Sequence, residues 1–452
     1  MTVSYNHPDF LDAGKLITEQ DRVFALCADC RLCVKYCDTF PIIFDAIDAQ
    51  VGEDGFRTGE ESVTVQVRDQ AVDACFGCQA CYTNCPYTPG EHDWDIDFPL
   101  LMLRSKAVNA EQKGVTLRDR VLTDPDFAGS MSAGVFNSLA NAAMKPGSIH
   151  RKAAEWALGI DRRKHMPAFA TKGFSKTEQA KAANALAEAR TPTAPTEGAP
   201  PKDYLLFPSC TGEWNDHETP KAMLDLFEQA GCTTKTSYPG CCGMPALDTG
   251  DLERARKMAR KVVKALLPEV RAGRTLVVTN PTCGLMIRNE YPELIPDEPG
   301  LDELLAATRD AGAVLFGLVK SKDLGRDFKA KPTDMVFHAP CHLQRSKVGF
   351  KGRDMLRIFK GKITMADRCS CHDGTWAMKK DHFEDSLRIG RALFDVVESE
   401  ADAVVMSECP LAALHIEQAT GRKVHHPAVV LRDAYQGGSS FDQSPKPDED
   451  IT

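Results

Sequence analysis

At 452 residues the chain is longer than one hydrophobic core serves, so two or three domains are expected. Apolar residues at 43% and charged residues at 26% describe a folded globular protein and exclude a disordered one. A formal net charge of −9 offers no electrostatic footprint for nucleic acid, which leaves proteins or small molecules as expected partners.

The opening MTVSYNHPDFLDAG has neither a basic region nor an apolar stretch, so no Sec-type signal is expected. The longest apolar run, Ala311 to Val319, has nine residues, well short of the roughly 18 to 20 that cross a bilayer. A cytoplasmic chain is the expectation. In that reducing compartment, 17 cysteines point to metal binding or redox chemistry rather than to disulfides.

Residues 1–115 hold eight cysteines in two groups. Cys27, Cys30, Cys33 and Cys37 are spaced C-x2-C-x2-C-x3-C, and Cys75, Cys78, Cys81 and Cys85 repeat the spacing, closed by Pro86. Two-residue gaps let three thiolates wrap one cubane within a tight turn, with the fourth ligand coming from further away. In two-cluster ferredoxins the fourth cysteine of each group crosses to the other cluster. That analogy assigns Cys27, Cys30, Cys33 and Cys85 to one [4Fe-4S] cluster and Cys75, Cys78, Cys81 and Cys37 to the other. Paired zinc knuckles are the alternative, but they use two cysteines per knuckle and do not call for three in a row. The flanks QDRVFALCADCRLC and RDQAVDACFGCQACYTNC read as helical, giving an α-helical ferredoxin-like module. Asp38 stands where a proline usually follows the first group, which leaves the ligands intact.

Residues 116–202 form a helical connector followed by a linker. One helix is expected from Phe127 through Met131, Val135, Phe136, Leu139 and Ala143, whose spacing makes an apolar stripe. Packing on the core is the usual fate of such a stripe. The basic residues that follow, Arg151, Lys152, Arg162, Arg163 and Lys164, also suit peripheral contact with the inner face of a membrane. Arg190 to Lys202 carries four prolines in thirteen residues and marks a domain boundary.

From Tyr204 short apolar strands alternate with helices. YLLFPSC ends at Cys210, a helix spans Pro220 to Ala230, a second strand leads to Cys241 and Cys242, a helix covers Asp251 to Leu267, and TLVVTN ends before Cys283. That is a βαβαβ unit over residues 203–330. DMVFHAPC, ITMADRC and AVVMSEC restart the order over residues 331–435, with a helix beginning near Trp376. Cys341, Cys369 and Cys409 follow Cys210, Cys241 and Cys283 by 131, 128 and 126 residues, so two homologous α/β halves with parallel strands are expected. Residues 436–452 read as a disordered tail.

In open parallel sheets, ligands collect beyond the carboxyl ends of strands. Cys210, Cys241, Cys242 and Cys283 each fall at such an end, so separate turns deliver four thiolates to one crevice. The segment PGCCGMPALDTGDLERARKMA resembles the cysteine-rich CCG domain of heterodisulfide reductases and of the iron-sulfur subunits of anaerobic glycerol-3-phosphate, lactate and glycolate dehydrogenases. The likeness covers nearly the whole chain and extends to oxidoreductases encoded beside rubrerythrin. CPYTPGEHDWDIDFPLLMLRSKAV and LGIDRRKHMPAFA add to it. The resemblance implies that CCG cysteines hold iron-sulfur clusters, in some members a non-cubane one, near a site of disulfide or quinone chemistry.

Departures qualify this. The family ends each half in CxxC, whereas here Asn280-Pro281-Thr282-Cys283 and Cys409-Pro410-Leu411-Ala412 keep one thiol each. The second half reads Cys369-Ser370-Cys371-His372-Asp373-Gly374, with one thiol displaced and His338, His342 and His372 nearby. A further cluster is expected in the first half. In the second, Cys341, Cys369, Cys371 and Cys409 with His342 and His372 leave zinc, mixed-ligand iron, a cluster or no metal open. Cys232 reads as a buried small apolar residue, and His415, His425 and His426 as surface or packing residues.

No G-x-G-x-x-G follows a strand and no flavin fingerprint is present, so a partner must supply or take electrons. The expected function is an iron-sulfur electron-transfer subunit working between a flavin dehydrogenase or rubrerythrin and a quinone or thiol acceptor. The alternatives are a catalytic disulfide or thiol reductase using a CCG-bound cluster, and a zinc-bound scaffold.

Overall fold

The computed structural model describes residues 3–51, 63–193, 198, 200–332, 334–372 and 374–441. Of the expected tail, Gln436 still belongs to the helix Pro427–Gln436 and Ser439–Phe441 forms a short 3-10 turn. Residues 442–452 lie outside the described residues, as do 194–197 and 199 of the proline-rich linker.

The N-terminal unit is all-helical. The helix Ala13–Cys30 starts where the Asp12 carboxylate accepts from the Lys15 N–H, satisfying one of the first-turn amides. It ends at Arg31, whose backbone turns left-handed (φ 53). Helices Thr39–Asp48, Val65–Ala74 and Phe98–Lys113 complete the unit around Phe24, Phe40, Phe44, Phe98 and Met102. Six of its eight cysteines pack against that core.

The two halves that follow are four-stranded parallel sheets. Strands β1 (Asp203–Phe207), β2 (Thr233–Thr236), β3 (Thr275–Val278) and β4 (Thr308–Asp310) lie in the order β2-β1-β3-β4. Strands β5 (Met335–His338), β6 (Ile363–Ala366), β7 (Val404–Ser407) and β8 (Val424–His425) repeat it as β6-β5-β7-β8. Register is equivalent too: Leu205 pairs with Lys235 and Leu276, and Val336 with Thr364 and Val405. Each half therefore has a fourth strand beyond the expected three. Strands β1, β3, β5 and β7 are buried throughout, as parallel strands covered on both faces must be.

The halves share one hydrophobic core containing Leu206, Phe227, Val277, Leu315, Phe337, Met406 and Val430. The apolar run at Ala311 is a ten-residue helix, Ala311–Lys320, packed against Lys351–Leu356 of the second half. Among the described residues no helix is long and apolar enough to cross a membrane.

The connector departs from expectation. Instead of one helix, Pro125–Ser132 and Asn137–Met144 are separated by a turn whose Gly134 has φ 69. The stripe does not pack on the core: Phe127, Met131, Phe136 and Leu139 are exposed, and Val135 is 93% exposed. Periodicity marks a face as apolar without saying what covers it.

Gly250 shows how tightly the helical unit docks. At φ 79 it presses on the helix Phe98–Lys113 so closely that an added Cβ would lie 2.5 Å from the Lys106 carbonyl and the Ala107 nitrogen. Both neighbours are backbone and cannot rotate away. Gly250→Ala is expected to destabilise the protein by on the order of 2–4 kcal/mol, read as a lower Tm; an unchanged Tm would remove this contact from the docking interface.

Candidate metal centre

In both sheets strand order reverses beside the first strand of the half, between β1 and β3 and between β5 and β7. Such a switch point opens a crevice beyond the carboxyl ends of the strands. Cys210 follows β1 and Cys283 follows β3; Cys341 follows β5 and Cys409 follows β7. The repeated topology places these four thiols in equivalent positions.

The turn before Cys210 is left-handed at Ser209 (φ 65), an uncommon conformation for a residue with a Cβ. Cys241 and Cys242 precede Gly243, at φ 101, whose missing side chain lets the loop run past Ala255, Met258 and Met286. In the second half Cys371 occupies the place of Gly243, counted from Cys369 as Gly243 is from Cys241, and keeps a left-handed backbone (φ 55). The displaced thiol thus sits on the residue that the loop would otherwise give to glycine. It is fully buried, and its N–H approaches the Cys369 sulphur at 3.3 Å.

The first-half thiols form one hydrogen-bonded group. Bonds from Cys210 and Cys242 and from the Gly243 backbone hold the Cys241 thiol well below its usual range despite burial. Asp126, from the connector, accepts from the Cys241 N–H at 2.9 Å, the Trp214 indole at 3.0 Å and the Tyr238 hydroxyl at 2.5 Å. Sequence reasoning missed Asp126, because its segment has no cysteine and the contact spans 115 residues.

The N-terminal cysteines fall into two sets. Burial, then the thiols of Cys33, Cys85 and Cys30, push Cys27 up; burial, then Cys85 and Cys30, push Cys33 to about 12. Cys37 is raised by burial and then by Cys75 and Cys78, and Cys81 by burial and then by Cys78, Cys75 and Cys37. Cys85 thus lies near Cys27 and Cys33, and Cys37 near Cys75, Cys78 and Cys81, while Cys33 also feels Cys78 and acts on Cys81, so the two groups adjoin. Crowded, buried thiols resist ionisation until a cation compensates the charge.

Eight cysteines from three units line a single cavity of about 110 Å³: Cys78, Cys210, Cys241, Cys242, Cys283, Cys341, Cys369 and Cys409. The sulphurs of Cys78, Cys341 and Cys369 all lie within 4.8 Å of one another. His338, His342 and His372 also face this cavity. His342 Nδ1 meets the Thr282 hydroxyl at 2.9 Å. His372 is buried with neither ring nitrogen hydrogen-bonded, an orphaned donor set that a soft or borderline metal would satisfy. The residues present therefore fit a metal or iron-sulfur group.

Cys232 is half-buried beside the core, away from these sites. His415, His425 and His426 are buried packing residues. Behind His372, the buried Lys164 amine lies 2.5 Å from His415 Nδ1. Burial lowers the Lys164 pKa to about 7 from 10.5. Below about pH 7 both folded and unfolded chains hold the proton and the burial penalty is complete; as pH rises from 7 towards 10.5 the unfolded chain alone stays protonated and stability grows. Lys164→Met is expected to raise stability near neutrality by on the order of 3 kcal/mol and to flatten that pH dependence. Melting curves of both proteins between pH 6.5 and 9.5 check it; parallel curves would refute it.

Comparison with known proteins agrees with this geometry. The CCG cysteine-rich domain family model matches residues 204–288 and 335–417, one match within each α/β half, so each half is similar to a CCG domain. The chain is 28% identical over 328 residues to the C subunit of the anaerobic glycerol-3-phosphate dehydrogenase of Escherichia coli (strain K12), covering 71% of this chain and 77% of that protein. It is 27% identical over 244 residues to lactate utilization protein A of Bacillus licheniformis, covering 50% of this chain and 97% of the relative. The lactate utilization protein A of Geobacillus kaustophilus is 26% identical over 218 residues, 45% of this chain and 86% of its own length. No solved structure matches.

Proposed function

We propose that the protein is an iron-sulfur electron-transfer subunit of a dehydrogenase system, passing electrons between a partner, a flavin dehydrogenase or rubrerythrin, and a quinone or thiol acceptor. The observation that carries this reading is the cavity where eight thiols from the helical unit and both CCG domains converge. Similarity to a subunit of a dehydrogenase supports the partner class. Two [4Fe-4S] clusters would be held by Cys27, Cys30, Cys33 and Cys85 and by Cys75, Cys78, Cys81 and Cys37. A third would be held by Cys210, Cys241, Cys242 and Cys283. Cys341, Cys369, Cys371 and Cys409 with His342 and His372 would take iron, a cluster or zinc. Bound there, such groups accept and release single electrons; the chain's own residues bury them, exclude water and fix their spacing.

A second reading, direct reduction of a disulfide or related substrate, is favoured by a neighbouring cavity of about 250 Å³ that shares Thr211, Asn280 and Leu411 with the thiol-lined one. The exposed stripe from Phe127 to Leu139, with Lys152, Arg162 and Arg163 exposed beyond it although Arg151 and Lys164 of the expected basic flank are buried, supports peripheral contact with an anionic membrane. Anaerobic purification followed by metal analysis tests the principal reading. Brown protein with about eight irons or more per chain is expected; colourless protein holding zinc alone would make it a scaffold.

A further inference from the structure

We propose that the second CCG domain, through Cys78, is the redox junction between the helical unit and the CCG pair. The inference rests on the iron-sulfur reading above and adds which half is wired to the N-terminal cysteines.

Cys78 is proposed above as a ligand of the N-terminal set and lies near Cys37 and Cys81. Its sulphur nevertheless lies within 4.8 Å of those of Cys341 and Cys369, which follow β5 and β6. Cys37, Cys78 and Cys369 all pack against a small apolar cluster of Phe76, Cys371, Trp376 and Ala377. One side of this cluster is the helical unit and the other is the second half.

The juxtaposition does not depend on the sulphurs. Before Cys78 in the chain, Phe76 packs on Trp376 with ring centroids 4.9 Å apart, and the Trp376 indole donates to the Asp73 carbonyl at 2.8 Å. His382 stacks on Trp376 at 4.5 Å and lies 3.2 Å from the Asp73 carboxylate. After Cys78, the Arg345 guanidinium donates to Gln79 at 2.9 Å and sits 3.9 Å from the centre of the Tyr82 ring. The loop around Cys78 is thus held on both sides by residues of the second half. The first half also reaches this loop, where Glu290 bonds to Gln79 and its cysteines share the cavity with Cys78, but no first-half sulphur joins the close group of Cys78, Cys341 and Cys369.

Tunnelling rates fall exponentially with distance, so an approach within 4.8 Å favours a route through Cys341 and Cys369. One electron leaves the Cys78 side and one is gained on the Cys341 and Cys369 side, with no bond made or broken. The flavin-bearing or equivalent partner dehydrogenase is its source.

The test uses the full-length, anaerobically prepared holoprotein, with iron and zinc content and electron paramagnetic resonance of the dithionite-reduced state as readouts. In the parent, the two N-terminal clusters are expected to split one another, and one of them to carry a further splitting from a paramagnetic neighbour in the second half. Cys341→Ser and Cys369→Ser should each abolish that further splitting while the N-terminal iron and the mutual coupling are retained, and Cys242→Ala should leave it in place. Further splitting lost only in Cys242→Ala would overturn the inference, as would zinc in the second half. A parent without the further splitting would overturn it whether or not the variants fold. Absence of iron from the whole protein is a different result and refutes the underlying reading as well.

Discussion

Cys85→Ser is expected to cost the protein about four irons and the spectroscopic signal of one cluster, leaving its neighbour in place. The reason is spatial. Cys85 closes the second cysteine group in sequence, yet the charges around Cys27 and Cys33 include its thiol. Its sulphur also accepts from the Tyr87 N–H at 3.4 Å, which fixes its direction. Serine is close in size but offers a hard oxygen with little affinity for iron in a soft thiolate set. The fold should survive, because Cys85 is a peripheral contact of the helical core. Iron and sulfide analysis with resonance spectra of the reduced variant would decide it. Loss of the cluster assigned to Cys75, Cys78 and Cys81 would reverse the pairing.

Cys241→Ala should have the largest effect in the CCG pair. Cys241 sits between Cys210 and Cys242, and its thiol is the one held towards ionisation. Removing it breaks two thiol hydrogen bonds and takes the central ligand from a buried site. Cys242→Ala should behave alike, since its carbonyl is already anchored by the Tyr291 hydroxyl at 2.9 Å and the loop has no slack to substitute another donor. Both variants should lose the first-half iron and abolish electron transfer from the partner, whereas Cys369→Ala and Cys371→Ala should lower total iron less and reduce stability. Iron analysis and partner-dependent reduction of a quinone would be measured together. Equal iron losses from both halves, or a loss confined to Cys369 and Cys371, would show that the displaced thiol does not weaken the second site.

The outline of the α/β halves was legible because most strands are short apolar runs leading to a cysteine, and the runs recur at a nearly constant offset. Strands β4 and β8 were not, because three residues and two residues are too few to carry a period. The local grouping of the N-terminal cysteines could be read from spacing, since two-residue gaps are local, whereas the crossing of Cys37 and Cys85 was an expectation from two-cluster ferredoxins. What spacing could not disclose were contacts between distant segments: Asp126 with Cys241, Lys164 with His415, and Cys78 with Cys341 and Cys369. The connector failed differently. Its apolar period was real, but Gly134 broke the helix and the stripe stayed exposed. That Cys371 stands in a glycine's place was visible as a displaced thiol, while its left-handed backbone required the fold to be known.

The clamp around Cys78 also constrains how the protein is made. Once Trp376 and Arg345 have closed over residues 73–82, the sulphurs of Cys78, Cys341 and Cys369 face a space of about 110 Å³, much smaller than any assembly protein. A protein carrying a preformed cluster would therefore deliver it most readily before the second half closes onto the helical unit, whereas small ions can reach these partly buried thiols afterwards.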